Sequence, residues 1–304
     1  MQSNSFNNLP RISKKDAINT LKKPISEVKI SADYYKAVFH LANFPCKESE
    51  NVLLDFIRFD IDQLEFKIAK RKAIEVLAIF DCKRAIPFIA DFLKNNDSYL
   101  VETAIWSLCK LQCHDEDIVN QICSLLHNQF INKRIVIQAL TNLGVKKEME
   151  KIRKFSKDKK LSFGVRGASL AALIRLAGEE DKLIELKDLL RLSNQNDRHC
   201  AVQDIITAGH ISMIPFLIEA PISPSFKIQA IDSLWDNELL NRENVNLLNS
   251  LDSVIRDDLH RIIPIEINDF KISINFLIDQ LFHTDFNRCY KALLELQKFP
   301  PEEV

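Results

Sequence analysis

The chain has 304 residues, of which 5 are Gly, where average usage of about 7% would give about 21. That shortage argues against hairpin-rich barrels and against P-loop or dinucleotide-binding folds, which need glycine at fixed positions. With 41 basic and 42 acidic residues the formal charge is −1, so no global field holds a polyanion.

The first ten residues, Met1 to Pro10, are mostly polar and lack the apolar core of a signal peptide. No apolar run approaches the roughly 20 residues that cross a bilayer. A cytoplasmic location without membrane insertion is expected, with the seven cysteines reduced. A short helix is predicted over Lys14 to Lys22, stopped before Pro24, within an N-terminal cap of residues 1–30.

From residue 31 a repeat sets in. A small residue at position i is followed by apolar residues at i+4 and usually i+7. The frame reads Ala37/Leu41/Phe44, Ala73/Leu77/Phe80, Ala104/Leu108/Leu111 and Val136/Leu140/Leu143. It continues as Ser169/Leu173/Leu176, Ala201/Ile205/Ala208 and Ala230/Leu234, where Asn237 breaks the last position. Seven anchors about 32 residues apart each start a stripe of helical period. A second amphipathic segment follows most stripes: Val52 to Ile57, Ala85 to Leu93, Ile118 to Leu126, Leu183 to Leu190 and Ile214 to Ile218. Pro87 and Pro215 sit early in two of them, where a first helical turn tolerates the missing N–H. The polar stretches Lys94 to Ser98 and Ser193 to Asp197 supply turns and caps. After about residue 238 the anchors are lost, although Phe270 to Gln280 and Phe286 to Gln297 remain helical in pattern. The chain is therefore expected to be all-α: one α-solenoid domain, residues 1–304, with about seven HEAT-like two-helix repeats over 31–237 and a helical cap over 238–304.

At 100° per residue, i, i+4 and i+7 form the buried side of each stripe helix, and i−2 and i+2 point roughly opposite. That outer stripe reads Tyr35/Phe39, Arg71/Glu75, Glu102/Trp106, Arg134/Gln138, Gly167/Ala171, His199/Gln203 and Ile228/Asp232. Aromatic area beside cations suits a flat, conjugated, partly anionic ligand. The competing account packs the aromatics on neighbouring helices and makes Arg71 with Glu75 an ordinary i,i+4 pair. Basic residues at i−3 (Lys70, Lys133, Arg166, Arg198, Lys227) read as a structural ladder to turn acids such as Asp97 and Asp197. The basic runs Lys146-Lys147 and Lys157 to Lys160, interrupted by acids, read as a solvated helix end and loop. Cys109, Cys113, Cys123 and His127 can be written C-x3-C-x9-C-x3-H, but their placement within a repeat favours buried thiols, and no metal is expected. Gly144, Gly178 and Gly209 fall where a helix needs a left-handed stop. Gly167 serves either close helix packing or a bare floor in the outer stripe.

Several segments go beyond generic periodicity. Asp33-Tyr34-Tyr35-Lys36-Ala37 with His40-Leu41 to Phe44-Pro45, Arg71 to Leu77, Tyr99-Leu100-Val101-Glu102 with Trp106, Val165-Arg166-Gly167-Ala168, Asn194-Gln195 with Asp197-Arg198, and Leu281 to Tyr290 resemble the cyanobacterial E/F-type phycobilin lyases. The similarity runs over nearly the whole chain and is nearest the phycoerythrin-directed branch. The family's opening Tyr-Tyr-Ala-Ala has Lys36 for its first Ala here, and Val38-Phe39-His40 stands where an aromatic pair would be. The resemblance implies an enzyme that attaches an open-chain tetrapyrrole, such as phycoerythrobilin, to a cysteine of a phycobiliprotein, with isomerisation in some relatives. The bilin is then substrate, no cofactor is required, and the partner is a phycoerythrin α or β subunit, with action alone or beside a second lyase subunit left open; no nucleic acid is expected. On this reading Arg71 and Arg134 meet the propionates, Asp33 or Glu102 faces the pyrrole nitrogens as the catalytic candidate, and Tyr35 and Trp106 stack on the rings. Tyr34, Phe39, Glu75 and Gln138 complete the ligand-binding set. The alternative is a non-catalytic scaffold that holds a phycobiliprotein subunit without handling pigment.

Overall fold

The computed structural model describes residues 12–28, 32–235, 244–268 and 270–301; among them there are α-helices, short 3-10 turns and one π-helical turn, and no strand. The chain separates into two compact units, residues 1–143 and 144–304. The break follows helix α8, at Gly144.

Unit 1 holds α1 (Lys14–Lys22), α2 (Ala32–Leu41), α3 (Lys47–Arg58), α4 (Leu64–Ile79), α5 (Ile86–Asp91), α6 (Ser98–Lys110), α7 (Glu116–Ser124) and α8 (Lys133–Asn142). The predicted cap helix is α1, started by Ser13, whose hydroxyl accepts the Asp16 N–H. The four stripes are α2, α4, α6 and α8, which pack in succession, while α3, α5 and α7 form the intervening second row. The anchors Ala37, Ala73, Ala104 and Val136 and the partners Leu41, Leu77, Leu108 and Leu140 are fully buried. A small anchor lets the next stripe helix approach, and the leucine four residues on fills the resulting layer, each such burial contributing about 1.5–3 kcal/mol. Phe44 breaks the pattern: α2 ends at Leu41, so Phe44 lies beyond the helix and is exposed.

Caps appear where the polar stretches predict them. Asp97 accepts from the N–H groups of Tyr99 and Leu100 at the start of α6, Asn132 from Arg134 at α8, and Asn194 from Asn196 and Asp197 at α12. Such caps satisfy N–H groups that have no partner inside the helix.

Unit 2 holds α9 (Met149–Lys157), α10 (Phe163–Ala172), α11 (Leu183–Asp188), α12 (Gln195–Ala208), α13 (Ile214–Glu219), α14 (Pro224–Trp235), α15 (Asn244–Ile255), α16 (Ile274–Leu281) and α17 (Phe286–Leu296). Its stripes are α10, α12 and α14, again packed in succession. The break at Asn237 lies outside the described residues. Gly144, Gly178 and Gly209 stand at φ 72°, 71° and 71°, the left-handed stop their positions require. Gly167 is a packing glycine: a Cβ there would collide with Asp204 Oδ2 and come within 3.0 Å of Leu189 Cδ1.

Four of the five basic residues at i−3 (Lys70, Arg166, Arg198 and Lys227) make structural contacts, but their partners differ from the turn acids expected. Lys227 donates to the Ile218 carbonyl at 2.7 Å, and Arg198 to those of Leu192 (2.8 Å) and Ser193 (2.9 Å). Arg166 reaches the Ser156 carbonyl at 3.5 Å. These cations close the carbonyl-rich end of the preceding second-row helix, where orphan acceptors and the negative end of the dipole meet. Lys70 instead lies over the rings of Phe66 and Phe92. Asp97 is occupied with its own helix cap.

In unit 2 this row also anchors the tail. Arg198, fully buried, forms an ion pair with Asp285, and Gln195 Nε2 donates to the Thr284 carbonyl at 2.8 Å. Lys227 lies over the Tyr290 ring, whose hydroxyl donates to Asp257 at 2.9 Å. Asn287 exchanges two hydrogen bonds with the backbone of Ile265. Helix α17 thus occupies most of the predicted span, whereas α16 starts at Ile274 rather than Phe270.

Candidate functional site

All the predicted site residues fall in unit 1, on α2, α4, α6 and α8. Because these helices pack side by side, their outer stripes form one face across neighbouring helices. Tyr35 and Phe39 on α2 are half-buried, and Phe39 meets His40 edge-on at 5.9 Å. Trp106 on α6 is 44% exposed, far more than a core indole. Arg134 and Gln138 on α8 are half-buried.

Tyr34 is a correction. It is 2% exposed and packs against Phe56 and Phe66, with ring centroids 5.4 and 5.6 Å away. Its hydroxyl donates to the Lys23 carbonyl at 2.8 Å. Tyr34 faces the core because it lies three residues before the anchor Ala37, on the buried side, whereas Tyr35 lies two before it. Its contribution is to tie α2 to the chain end of α1.

Arg71 and Glu75 do not form the i,i+4 pair. Glu75 accepts from Lys72 at 3.0 Å. The Arg71 guanidinium carbon instead stands 5.2 Å from the centroid of Tyr99, and its Nε donates to the Lys67 carbonyl at 3.4 Å. Tyr99 is absent from the predicted stripe yet 66% exposed. The signal was in the spacing: Tyr99 precedes Trp106 by seven residues, two turns, so both rings lie on one face of α6. A stripe drawn only from i−2 and i+2 of the anchor misses it.

The two carboxylate candidates are both engaged. Glu102 Oε1 accepts the Asn132 backbone N–H at 3.0 Å, fastening α6 to the start of α8. Asp33 accepts from Lys36 at 3.3 Å. Chemically the face combines four aromatic rings (Tyr35, Phe39, Tyr99, Trp106) with two guanidinium groups. Such a surface stacks conjugated rings and pairs with carboxylates. A cavity of 370 Å³ lined by Leu21, Lys22, Val52, Asp55, Phe56, Arg58 and Phe59 lies on other elements, α1 and α3.

The cysteine series separates by environment. Cys109, Cys113 and Cys123 are buried, and burial pushes the Cys109 thiol up. Among the described residues no group of three or more His, Cys, Asp or Glu could hold a metal ion. Cys46 differs: it precedes α3, and hydrogen bonds from the Ser49 side chain and backbone draw its thiol down to about 7. Among the described residues no helix is long and apolar enough to cross a membrane.

Over 283 residues, 93% of this chain and 67% of the relative, the sequence is 35% identical to the bilin biosynthesis protein CpeY of Synechococcus sp. (strain WH8020). It is 29% identical over 279 residues to the uncharacterized phycocyanin operon protein Y of Pseudanabaena tenuis (strain PCC 7409), covering 91% of this chain and 66% of that one. The chain thus spans about two thirds of the length of these curated relatives. No protein-family model matches it. Among solved structures, the complex of CpcE and CpcF of phycocyanin lyase from Nostoc sp. PCC7120 contains a chain that superposes with a TM-score of 0.71 at 20% identity, covering 84% of this chain and 99% of that one. At that identity the likeness is one of fold.

Proposed function

Because the chain belongs to the E/F-type family of HEAT-repeat bilin lyases, we propose that it attaches an open-chain tetrapyrrole to a cysteine of a phycobiliprotein, a phycoerythrin subunit by preference. The observation that carries this reading is the Arg71–Tyr99–Trp106 arrangement on α4 and α6, where a cation and two exposed rings share one face. A bilin has conjugated pyrrole rings that stack on Tyr35, Tyr99 and Trp106, and two propionates that pair with Arg71 and Arg134. Gln138 and Phe39 border the same face. On this reading Glu102 or Asp33 accepts from pyrrole N–H groups, and Glu75, held by Lys72, borders the face.

The reaction adds S–H across the exocyclic double bond of ring A. A carbon–sulfur bond forms from the acceptor thiolate, the π bond is consumed, and a proton is delivered to the tetrapyrrole, so no oxidant or reductant is needed. The thiol comes from the acceptor, and the chain supplies orientation and control of protonation. Isomerisation of the bilin and action beside a second lyase chain belong to the same proposal.

Co-expression with a bilin supply and each candidate subunit tests it. Colour retained on the subunit after denaturation, with the adduct cysteine located by mass spectrometry, supports the reading. Colour that stays with this chain, or a subunit held without pigment, would sink it in favour of a non-catalytic scaffold.

A further inference from the structure

The basic runs Lys146-Lys147 and Lys157 to Lys160 lie at the two ends of one helix, α9 (Met149–Lys157). From Lys146 through Lys160 there are eight basic and three acidic residues, a net +5 in a chain whose total is −1. Helix α9 buries Ile152 and Ser156. At 100° per residue Lys154 points directly away from them, with Lys151 and Lys157 about 60° to either side. Glu150, about 40° from Lys154, shares that outward face and pairs with Arg153, so the face is cationic in balance.

Glu150 and Glu179 both pair with Arg153. Asp158 accepts the Lys160 backbone N–H at 2.9 Å. The elements packed on α9, namely α10 and the π turn Leu173–Ala177, add Arg166 and Arg175. Lys146, Lys154, Lys157, Lys159 and Lys160 form no ion pair among the described residues. Helix-dipole stabilisation accounts for Lys154 and Lys157 in the last turn, but Lys146 and Lys147 precede the positive end, where cations are disfavoured. The next second-row segment behaves differently: from Glu179 to Arg191 three basic residues stand against five acidic ones. A face with so large an excess of one sign raises the free energy of the isolated protein and is relieved by an opposite surface.

We propose that the outward face of α9 docks an acidic protein surface, that of the acceptor subunit; this identification of the partner rests on the reading given above. The face is distinct from the aromatic stripe of unit 1, so docking and pigment handling are separable. The test compares the wild-type chain with Lys154→Glu/Lys157→Glu on the helix and Lys159→Glu/Lys160→Glu beyond it, each titrated against the apo-subunits of phycoerythrin and phycocyanin at several salt concentrations. The expected result is a Kd raised about tenfold or more, mainly through slower association, with a shallower salt dependence. Bilin binding by the chain alone stays at wild-type level. Carbodiimide cross-linking of the wild-type complex is expected to join Lys154 or Lys157 to subunit carboxylates. The second variant lies outside α9 and carries the test if the first perturbs the helix. Unchanged affinity in both variants, or cross-links confined to other lysines, overturns this proposal alone. A wild-type chain that binds none of the subunits removes the acceptor reading and this proposal together. Duplex DNA binding that is lost on charge reversal while subunit binding persists reassigns the face to nucleic acid and overturns it as well.

Discussion

The outer stripes of the two units follow one sequence frame but differ in what they carry and in how much of it stays in solvent. In unit 1 the stripe positions stay partly in solvent and carry Tyr35, Phe39, Arg71, Trp106 and Arg134. In unit 2 they divide: Gly167 and Ala171 are buried between α10 and α12 and His199 stacks on Phe226 at 4.4 Å with an interplanar angle of 9°, whereas Gln203, Ile228 and Asp232 are exposed. The i−3 row diverges too. Lys70 rests on aromatic rings, while Arg198 and Lys227 are built into the anchorage of the tail. A repeat fixes where side chains point, and the neighbours decide whether that direction ends in water or in protein. Unit 1 keeps a face of aromatic rings and guanidinium groups available; unit 2 uses Gly167, Ala171 and His199 for packing and leaves Gln203, Ile228 and Asp232 outside.

The largest effect expected from this contrast is at the buried ion pair. Arg198→Ala removes the cation paired with Asp285, which keeps the Asn287 N–H, and the donor to two carbonyls; destabilisation of about 3–5 kcal/mol is expected in denaturant unfolding followed by a probe in unit 2. Replacing both partners, Arg198→Met with Asp285→Leu, is expected to recover much of that loss. If Arg198→Ala unfolds with a wild-type midpoint, unit 2 is not held by its stripe cations.

Lys227 offers a second break through pH. Burial holds its ammonium down to about 8 from an ordinary value of 10.5. Between those values the unfolded chain binds the proton that the native one has released, so this residue's contribution to stability rises with pH from about 8 to 10.5. Below pH 8 both states are protonated and the cost of burying the charge is fully present. The wild-type chain is therefore expected to gain up to roughly 3 kcal/mol relative to Lys227→Met across that window. A difference between the two proteins that is flat with pH removes the explanation.

Gly167→Ala is expected to cost about 1–3 kcal/mol, because the new methyl needs space that Asp204 and Leu189 fill. Thermal unfolding checks it; an unchanged Tm would make the position an open floor after all.

The smallest stability effects are expected where the functional effects are greatest. Trp106→Ala, Tyr99→Leu and Arg71→Ala should each change unfolding free energy by about 0.5 kcal/mol or less, as partly exposed groups do. Bilin transfer to the acceptor should fall about tenfold or more in each, from lost stacking or a lost charge-assisted contact. Transfer at the wild-type rate in all three would place pigment elsewhere.

Much of this was legible in the sequence. The small-residue anchors and the leucines at i+4 gave the stripe helices, since a buried period of 3.6 leaves few alternatives. The glycine shortage located three left-handed stops, because a φ near +70° selects Gly. Tyr34 and Tyr35 show the limit: adjacent residues differ by 100°, so one enters the core and the other borders the face. The error of one position came from reading a motif as a block rather than as two directions.

Local periodicity, then, determined by itself that the chain is helical and where its stripe helices lie; it did not single out α9 or α15. Those properties depend on neighbours three and four residues away. Only the tertiary structure decided that Arg71 belongs to Tyr99 and Glu75 to Lys72, that Glu102 fastens α8, and that Arg198 receives Asp285 from 87 residues along the chain. Partner choice among charged and aromatic side chains is set by which segments packing brings together, and helical period carries no information about that.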